Sequence, residues 1–459
     1  MQANLKRCAM VKRLFLQLLL AGFAYAQAQP TTDLERRVTE LEEKMRLVDP
    51  SFGRDTRASD LSRRLELLEK KMTEVLASTT PVKETPPTSV AASPGPSLTP
   101  VSVTGDYQST PGGETRLPVA GYMEMHVNRD SGQPFRPDFH RFVLLFGHSF
   151  SDRIKFWSEL EVEHAIVEGG EESGEVAVEQ AYLDFLIKPA FNIRAGMMLT
   201  PVGIINERHE PPAFNGVERP FVETVIIPTT WRELGVGFTG DLGRGFRYRA
   251  YVTSSLTARG FDAETGITGG RTAGFDSSFR NPAKVARLEY AGVRHLTLGT
   301  SIYSGHTGFN TPGVNPGVTM FDFDGRYSYR RFDFRGLFAN TWVSQAGELN
   351  WRLEQSLGRN PNVASQMRGY YLEPGFHVLP RRTRNDLILF ARYEKYNTQH
   401  RMPDGYTPLP QFDRSSWVTG LTYKPNADVA LKFDYVFNRN ASTVVRAING
   451  INLGIGWWF

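Results

Sequence analysis

The sequence predicts an all-β fold: a transmembrane antiparallel β-barrel of about 16 strands, behind an N-terminal α-helical coiled coil and a disordered linker. Three observations lead there. The chain ends Ile-Asn-Gly-Ile-Asn-Leu-Gly-Ile-Gly-Trp-Trp-Phe over residues 448–459. Period-two alternation puts Ile451, Leu453, Ile455, Trp457 and Phe459 on one face and Asn452, Gly454 and Gly456 on the other. A water-facing strand of that kind invites aggregation, whereas a strand with lipid on one side and water on the other needs it. Second, alternating segments recur from Val119 onward, with charges of both signs on the polar face. Third, the links between them alternate short and long, as periplasmic turns and outer loops do.

Composition bounds the alternatives. The chain has 459 residues, 22% of them charged, with a formal net charge of +4, too near balance to argue for nucleic acid. After the first thirty residues no apolar run is long enough for a membrane-spanning helix. The single cysteine, Cys8, lies in a segment expected to be removed, which leaves no disulfide or thiol chemistry in the mature chain.

Residues 1–26 read as a signal peptide: Lys6, Arg7, Lys12 and Arg13, then an apolar core from Leu14 to Phe23, then the small-x-small site Ala24-Tyr25-Ala26. Residues 27–77 carry heptad seams. Leu34, Val38, Leu41, Met45 and Val48 form one; Leu61, Leu65, Leu68, Met72 and Val75 form another beyond Pro50 and Gly53. They predict a periplasmic coiled coil that an oligomer would bring together. Residues 78–118 are rich in Pro, Ser, Thr and Gly and read as a linker. Residues 119–459 are the barrel.

Within the barrel, Phe246, Tyr248, Ala250 and Val252 alternate with Arg247, Arg249 and Tyr251, and Phe332, Phe334 and Phe338 alternate with Arg331, Asp333 and Arg335. Val429, Leu431, Phe433, Tyr435 and Phe437 alternate with Lys432 and Asp434. The polar face suits a water-filled lumen. Its basic positions are Lys155, Arg194, Arg247, Arg249, Arg287, Arg326, Arg331, Arg335, Arg392 and Lys432; its acidic ones include Glu159, Glu161, Glu163, Glu289, Asp322, Asp324 and Asp434. Long links are expected near 129–138, 167–174, 200–230, 257–281, 305–317, 344–365, 397–411 and 440–446.

The third of these, 200–230, is too long and too apolar to extend into solvent, with Ile204, Ile205, Phe214, Phe221 and Val225. It is expected to fold inward as a constriction and present Arg208, His209 and Arg219 to the pore. Gly235-Val-Gly-Phe-Thr-Gly240 matches a dinucleotide fingerprint but lies inside a strand with no helix after it, so it reads as small residues on the wall. The acidic stretch Glu168 to Glu175 reads as a solvated loop tip. The nine histidines show no metal spacing. No catalytic set and no cofactor motif stands out.

The strand pair Glu179-Gln-Ala-Tyr-Leu-Asp184 and Ile193-Arg-Ala-Gly-Met197, followed by Leu199-Thr-Pro-Val-Gly203 and ended by Phe459, resembles the phosphate-selective porin O and P family and its coiled-coil-bearing relatives. The resemblance implies a sixteen-stranded trimeric porin of the Gram-negative outer membrane whose third loop turns inward and which passes anions such as phosphate or dicarboxylates. Trp457 and Phe459 look like the signal read by the barrel-assembly machinery. The expectation is therefore a non-enzymatic, passive channel for small hydrophilic solutes, leaning towards anions. Its pore residues would be Arg194, Arg208, His209, Arg219, Arg247, Arg249, Arg331 and Arg335. Expected partners are two further copies, outer-membrane lipid and lipopolysaccharide, peptidoglycan and small anionic solutes. The alternative is a sealed barrel that ties the envelope together through its coiled coil.

Overall fold

The computed structural model describes residues 120–164, 174–275, 278–311, 313–358, 360–380 and 384–459. The expected export segment, coiled coil and linker, and most of the acidic stretch 168–175, lie outside the described residues. Sixteen strands form one closed antiparallel barrel in sequence order. They are β1 (Ala120–Asp130), β2 (Arg136–Ser149), β3 (Ile154–Glu163), β4 (Glu175–Lys188), β5 (Phe191–Leu199), β6 (Arg232–Gly243), β7 (Phe246–Thr253) and β8 (Ala283–Tyr290). The rest are β9 (Leu296–His306), β10 (Gly317–Tyr329), β11 (Phe332–Val343), β12 (Gln366–His377), β13 (Asp386–Arg401), β14 (Asp413–Asn426), β15 (Val429–Asn440) and β16 (Gly450–Trp458).

Closure is made by the terminal strand. β16 pairs with β1 from Tyr122↔Trp458 to Asp130↔Gly450 and with β15 on its other edge, so the sheet keeps no open edge. Gly121 and Phe459 exchange backbone hydrogen bonds of 3.1 and 2.9 Å, and Phe459 stacks on Phe142 at 6.0 Å. Trp458 turns inward against Tyr122 at 5.3 Å, while Trp457 takes the outward parity.

The alternation places side chains as the sequence predicts. Val236, Phe238, Phe323, Phe334, Trp417 and Phe433 stand exposed on the outer face. Glu159, Glu161, Arg249, Arg287, Asp322, Arg392, Lys432 and Asp434 are buried inside. Charged residues within and apolar residues without is the arrangement lipid requires. The links alternate in length as expected, although the first, residues 131–135, is brief. The link 344–365 is not a plain loop. It holds a helix, α1 (Ala346–Leu357), whose Ala346, Leu349 and Leu353 are buried on one face and which ends at Gly358 in a left-handed conformation.

The β4–β5 pair shows why its motif has the residues it has. Tyr182 lies opposite Gly196, and Asp184 opposite Arg194. Arg194 donates to both Asp184 oxygens at 2.7 and 2.9 Å and covers the Tyr182 ring at 4.0 Å. Gly196 has φ +137°, and a Cβ there would stand 2.3 Å from the Ala181 oxygen and 2.7 Å from the Tyr182 Cα. Gly196→Ala is therefore expected to cost about 1–3 kcal/mol, read as a lower urea midpoint for folding. An unchanged midpoint would show that the strand accommodates the methyl.

Candidate functional site

The third long link, residues 200–231 and here called L3, leaves β5, enters the barrel and crosses to the far wall. Its amides and carbonyls are bonded to inward side chains on widely separated strands. Gly203 N donates to Asp322 of β10 at 3.3 Å, Val217 N to Asp434 of β15 at 2.6 Å and Val222 N to Glu394 of β13 at 3.0 Å. The Asn215 and Glu218 carbonyls accept from Arg392 at 3.3 and 3.4 Å, and the Pro212 carbonyl from Lys424 at 2.7 Å. A backbone without a regular partner inside a protein needs such acceptors and donors.

Within L3, the Glu223 carboxylate accepts from the Ile204 and Ile205 amides, both at 2.7 Å, and from the Tyr371 hydroxyl at 2.7 Å. Burial pushes its carboxyl up to about 7, a rise that these hydrogen bonds partly offset. His209 is buried. Its Nε2 lies 3.1 Å from Glu179 and 3.6 Å from Glu159, and its Nδ1 is 3.1 Å from the Asn206 carbonyl. Burial opposes its charge, but the neighbouring Glu179 and Glu159 carboxylates outweigh it and raise the imidazolium to about 10.

L3 divides the lumen. On the β7–β12 side Ile204, Ile205 and Trp231 pack with Leu256, Phe261 and Ile267 of the link 254–282 and with Tyr303, Met320 and Leu349. That side is an apolar core. On the opposite side a polar cavity of about 980 Å³ remains, walled by Glu124, His126, Arg141 and Glu161 of β1–β3, by Asn438 and Asn452, and by Arg219, Thr229 and Thr230 of L3. Arg232 and Arg271 close it.

The structure brings only some of the expected pore residues to this cavity. Arg219 is there: it donates to Thr229 Oγ1 at 2.6 Å and to Thr230 Oγ1 at 2.8 Å. His209 and Arg208 lie deeper in L3, the latter 3.7 Å from Glu289. Arg194, Arg247, Arg249 and Arg335 face inward, each within 4 Å of a carboxylate: Asp184, Glu289, Glu207 and Glu373 respectively. Arg331 corrects the expectation. The chain reverses at Arg330-Arg331, so Arg331 is an exposed turn residue between β10 and β11 and not a lumen residue.

Three residues that the sequence reading did not single out matter more. Arg141 of β2 holds Glu161, Glu163 and Glu124 at 3.1, 3.2 and 3.4 Å. Arg232 begins β6. Arg271 belongs to a link read as an outer loop, yet its Nη1 donates to the Thr229 carbonyl and its Nε to the Thr268 carbonyl at 3.2 Å. β2 hid Arg141 because Val143 and Leu145 on its inner face are apolar too, which blurs the alternation. The histidines also meet where spacing gave no sign. Asp138, His140 and His164 form one cluster, and Glu159, Glu179 and His209 another.

No protein-family model matches the chain. It is 38% identical over 327 residues to an uncharacterized protein of Aquifex aeolicus, which covers 69% of this chain and 74% of that one. Among solved structures, it is similar to OmpF of Salmonella typhi in complex with daunomycin, with a TM-score of 0.53 and 12% identity over 75% of this chain and 98% of that one. It is also similar to the anion-selective porin from Comamonas acidovorans, with a TM-score of 0.50 and 13% identity over 75% of this chain and all of that one. The fold is thus the porin barrel, and the chain belongs to the same family as the Aquifex aeolicus protein.

Proposed function

We propose that the protein is an outer-membrane channel for passive diffusion of small hydrophilic solutes, without a chemical step, and that L3 is its constriction. The observation that carries this reading is the polar cavity between L3 and the β1–β3 wall, inside a closed barrel whose outer face is apolar. Solutes would enter from the long-link end and pass along Arg219. The start of the first strand and the end of the last, Gly121 and Phe459, meet beside the short links, the periplasmic side in this reading.

An anion preference is supported by one pairing. Arg219 and Arg271 meet at Thr229, and among the described residues their hydrogen bonds go to hydroxyl and carbonyl oxygens, not to carboxylates. Arg141, Arg287 and Arg392 are each held by two or more carboxylates, which cancels their field. The likeness to the phosphate-selective porin O and P family, and a trimer, belong to the same proposal. The test is a planar-bilayer recording under a salt gradient. Discrete steps with an anion-selective reversal potential are expected, and Arg219→Glu with Arg271→Glu should shift it towards cations. A reversal potential that stays put would take this pair out of the selective path.

A sealed barrel that tethers the envelope is the second reading. It is favoured by L3 being bonded to walls on opposite sides of the lumen with an apolar core behind it. Folded protein that never conducts would select it.

A further inference from the structure

At the long-link end of the cavity, three side chains with nitrogen and oxygen donors converge. Asp138 and His140 stand on β2, and His164 follows β3. His140 Nδ1 is 3.1 Å from Asp138 Oδ2, and His164 Nδ1 is 3.0 Å from Asp138 Oδ1. One donor atom of each lies within 4.8 Å of the others. Backbone geometry holds them there. His164 N donates to the His140 carbonyl at 2.9 Å, extending the β2–β3 ladder by one residue. His164 has φ +46°, an uncommon conformation for a side-chain-bearing residue, at the point where the strand ends. The His126 ring stacks on His140 at 4.5 Å and an interplanar angle of 15°, which fixes the plane of the latter.

The geometry points to a binding site for a first-row divalent transition-metal ion, with Asp138, His140 and His164 as its ligands. Two imidazoles and one carboxylate suit Zn²⁺ or Ni²⁺ and not Ca²⁺ or Mg²⁺, which want oxygen. Asp138 and His140 line the cavity, from which water can complete the coordination. Without an ion, the Asp138 carboxylate bridges the two rings through their Nδ1 atoms. With one, each Nδ1 gives its lone pair to the metal and each ring carries its proton on Nε2. For His140 that proton faces Glu163 Oε1, 3.7 Å away, which supplies the carboxylate that usually backs a metal-bound histidine. Arg141, now 2.7 Å from His140 Nε2, gives up that contact and keeps Glu161 and Glu124.

The other cluster, Glu159, Glu179 and His209, does not compete. It is sealed behind L3, where His209 already sits 3.1 Å from Glu179 and 3.6 Å from Glu159. The Asp138 cluster has an entry route, because Asp138 and His140 line the cavity and the His164 side chain is 56% exposed.

Binding is read on the folded protein in detergent, whether or not it conducts. Calorimetric titration with ZnCl₂ is expected to give one saturable site per chain. His164→Ala and Asp138→Asn should weaken it by at least about tenfold, the low end of what even an outer partner contributes to a metal site. His148→Ala, at the other end of β2, should leave it intact. Ca²⁺ at equal concentration should not compete. His164 is exposed, so its variant keeps the barrel, which heat-modifiable gel mobility checks. Absence of saturable heat in the parent, or binding unchanged in both His140→Ala and His164→Ala, would overturn the site.

Discussion

Replacing Arg392 with methionine is expected to destabilise the protein by about 3–5 kcal/mol, as breaking a buried ion pair from one side does. Arg392 is 1% exposed. Its Nη1 donates to Glu373 at 3.0 Å and its Nε to Glu394 at 2.7 Å, while its remaining bonds reach the Asn215 and Glu218 carbonyls of L3. Methionine fills the volume but leaves Glu394 buried without its cation and Glu373 with Arg335 alone. It also releases L3 at its far anchorage. The loss should appear as a lower urea midpoint and, in the channel reading, as noisier single-channel current. The double variant Arg392→Met, Glu394→Gln should recover most of the midpoint, because the Glu394 charge is gone and Glu373 keeps Arg335 as its cation. A single variant as stable as the parent would mean that water reaches these carboxylates, and the account of L3 as a buried crosspiece would fail.

His209→Ala should act at the near end of L3 with a similar magnitude, about 3–5 kcal/mol, for the same reason: Glu179 and Glu159 would lose the cation between them. The expected pH dependence follows from the direction of its shift. A histidine held up to about 10 in the folded protein, against about 6.5 in the unfolded chain, contributes fully below the lower value. That contribution fades as pH climbs through the upper one. The parent should therefore lose stability between roughly pH 6.5 and 10 more steeply than His209→Ala. Parallel curves for the two proteins would show that His209 is not the charged member of the cluster.

Arg392 and His209 both hold the loop that stands out in the sequence for its length and apolar content. That content explained why L3 leaves solvent: Ile204, Ile205 and Phe214 are buried, and Phe221 and Val225 partly so. It did not say which charges would meet it. Arg208, His209 and Arg219 were read as three pore-facing cations of one kind. The structure gives them three settings: beside Glu289, between two glutamates, and against threonine hydroxyls at the cavity. Loop conformation is set by contacts with strands more than two hundred residues away, such as Val217 with Asp434, and no local pattern encodes those.

The sequence by itself determined what has a period of two. Strand number, the side most strand residues face, the alternation of link lengths and the lipid-facing pattern of the last strand follow from alternating polarity and turn residues. The helix in 346–357 and the inward fold of 254–282 were decided only by packing, since Leu349, Leu353, Leu256 and Phe261 share one core with L3. So were the ion pairs that neutralise most lumen arginines and the meeting of Asp138, His140 and His164. Alternation tells which face a side chain takes. Which partner it finds across the lumen depends on strand register, barrel closure and the path of L3, and these are properties of the assembled fold.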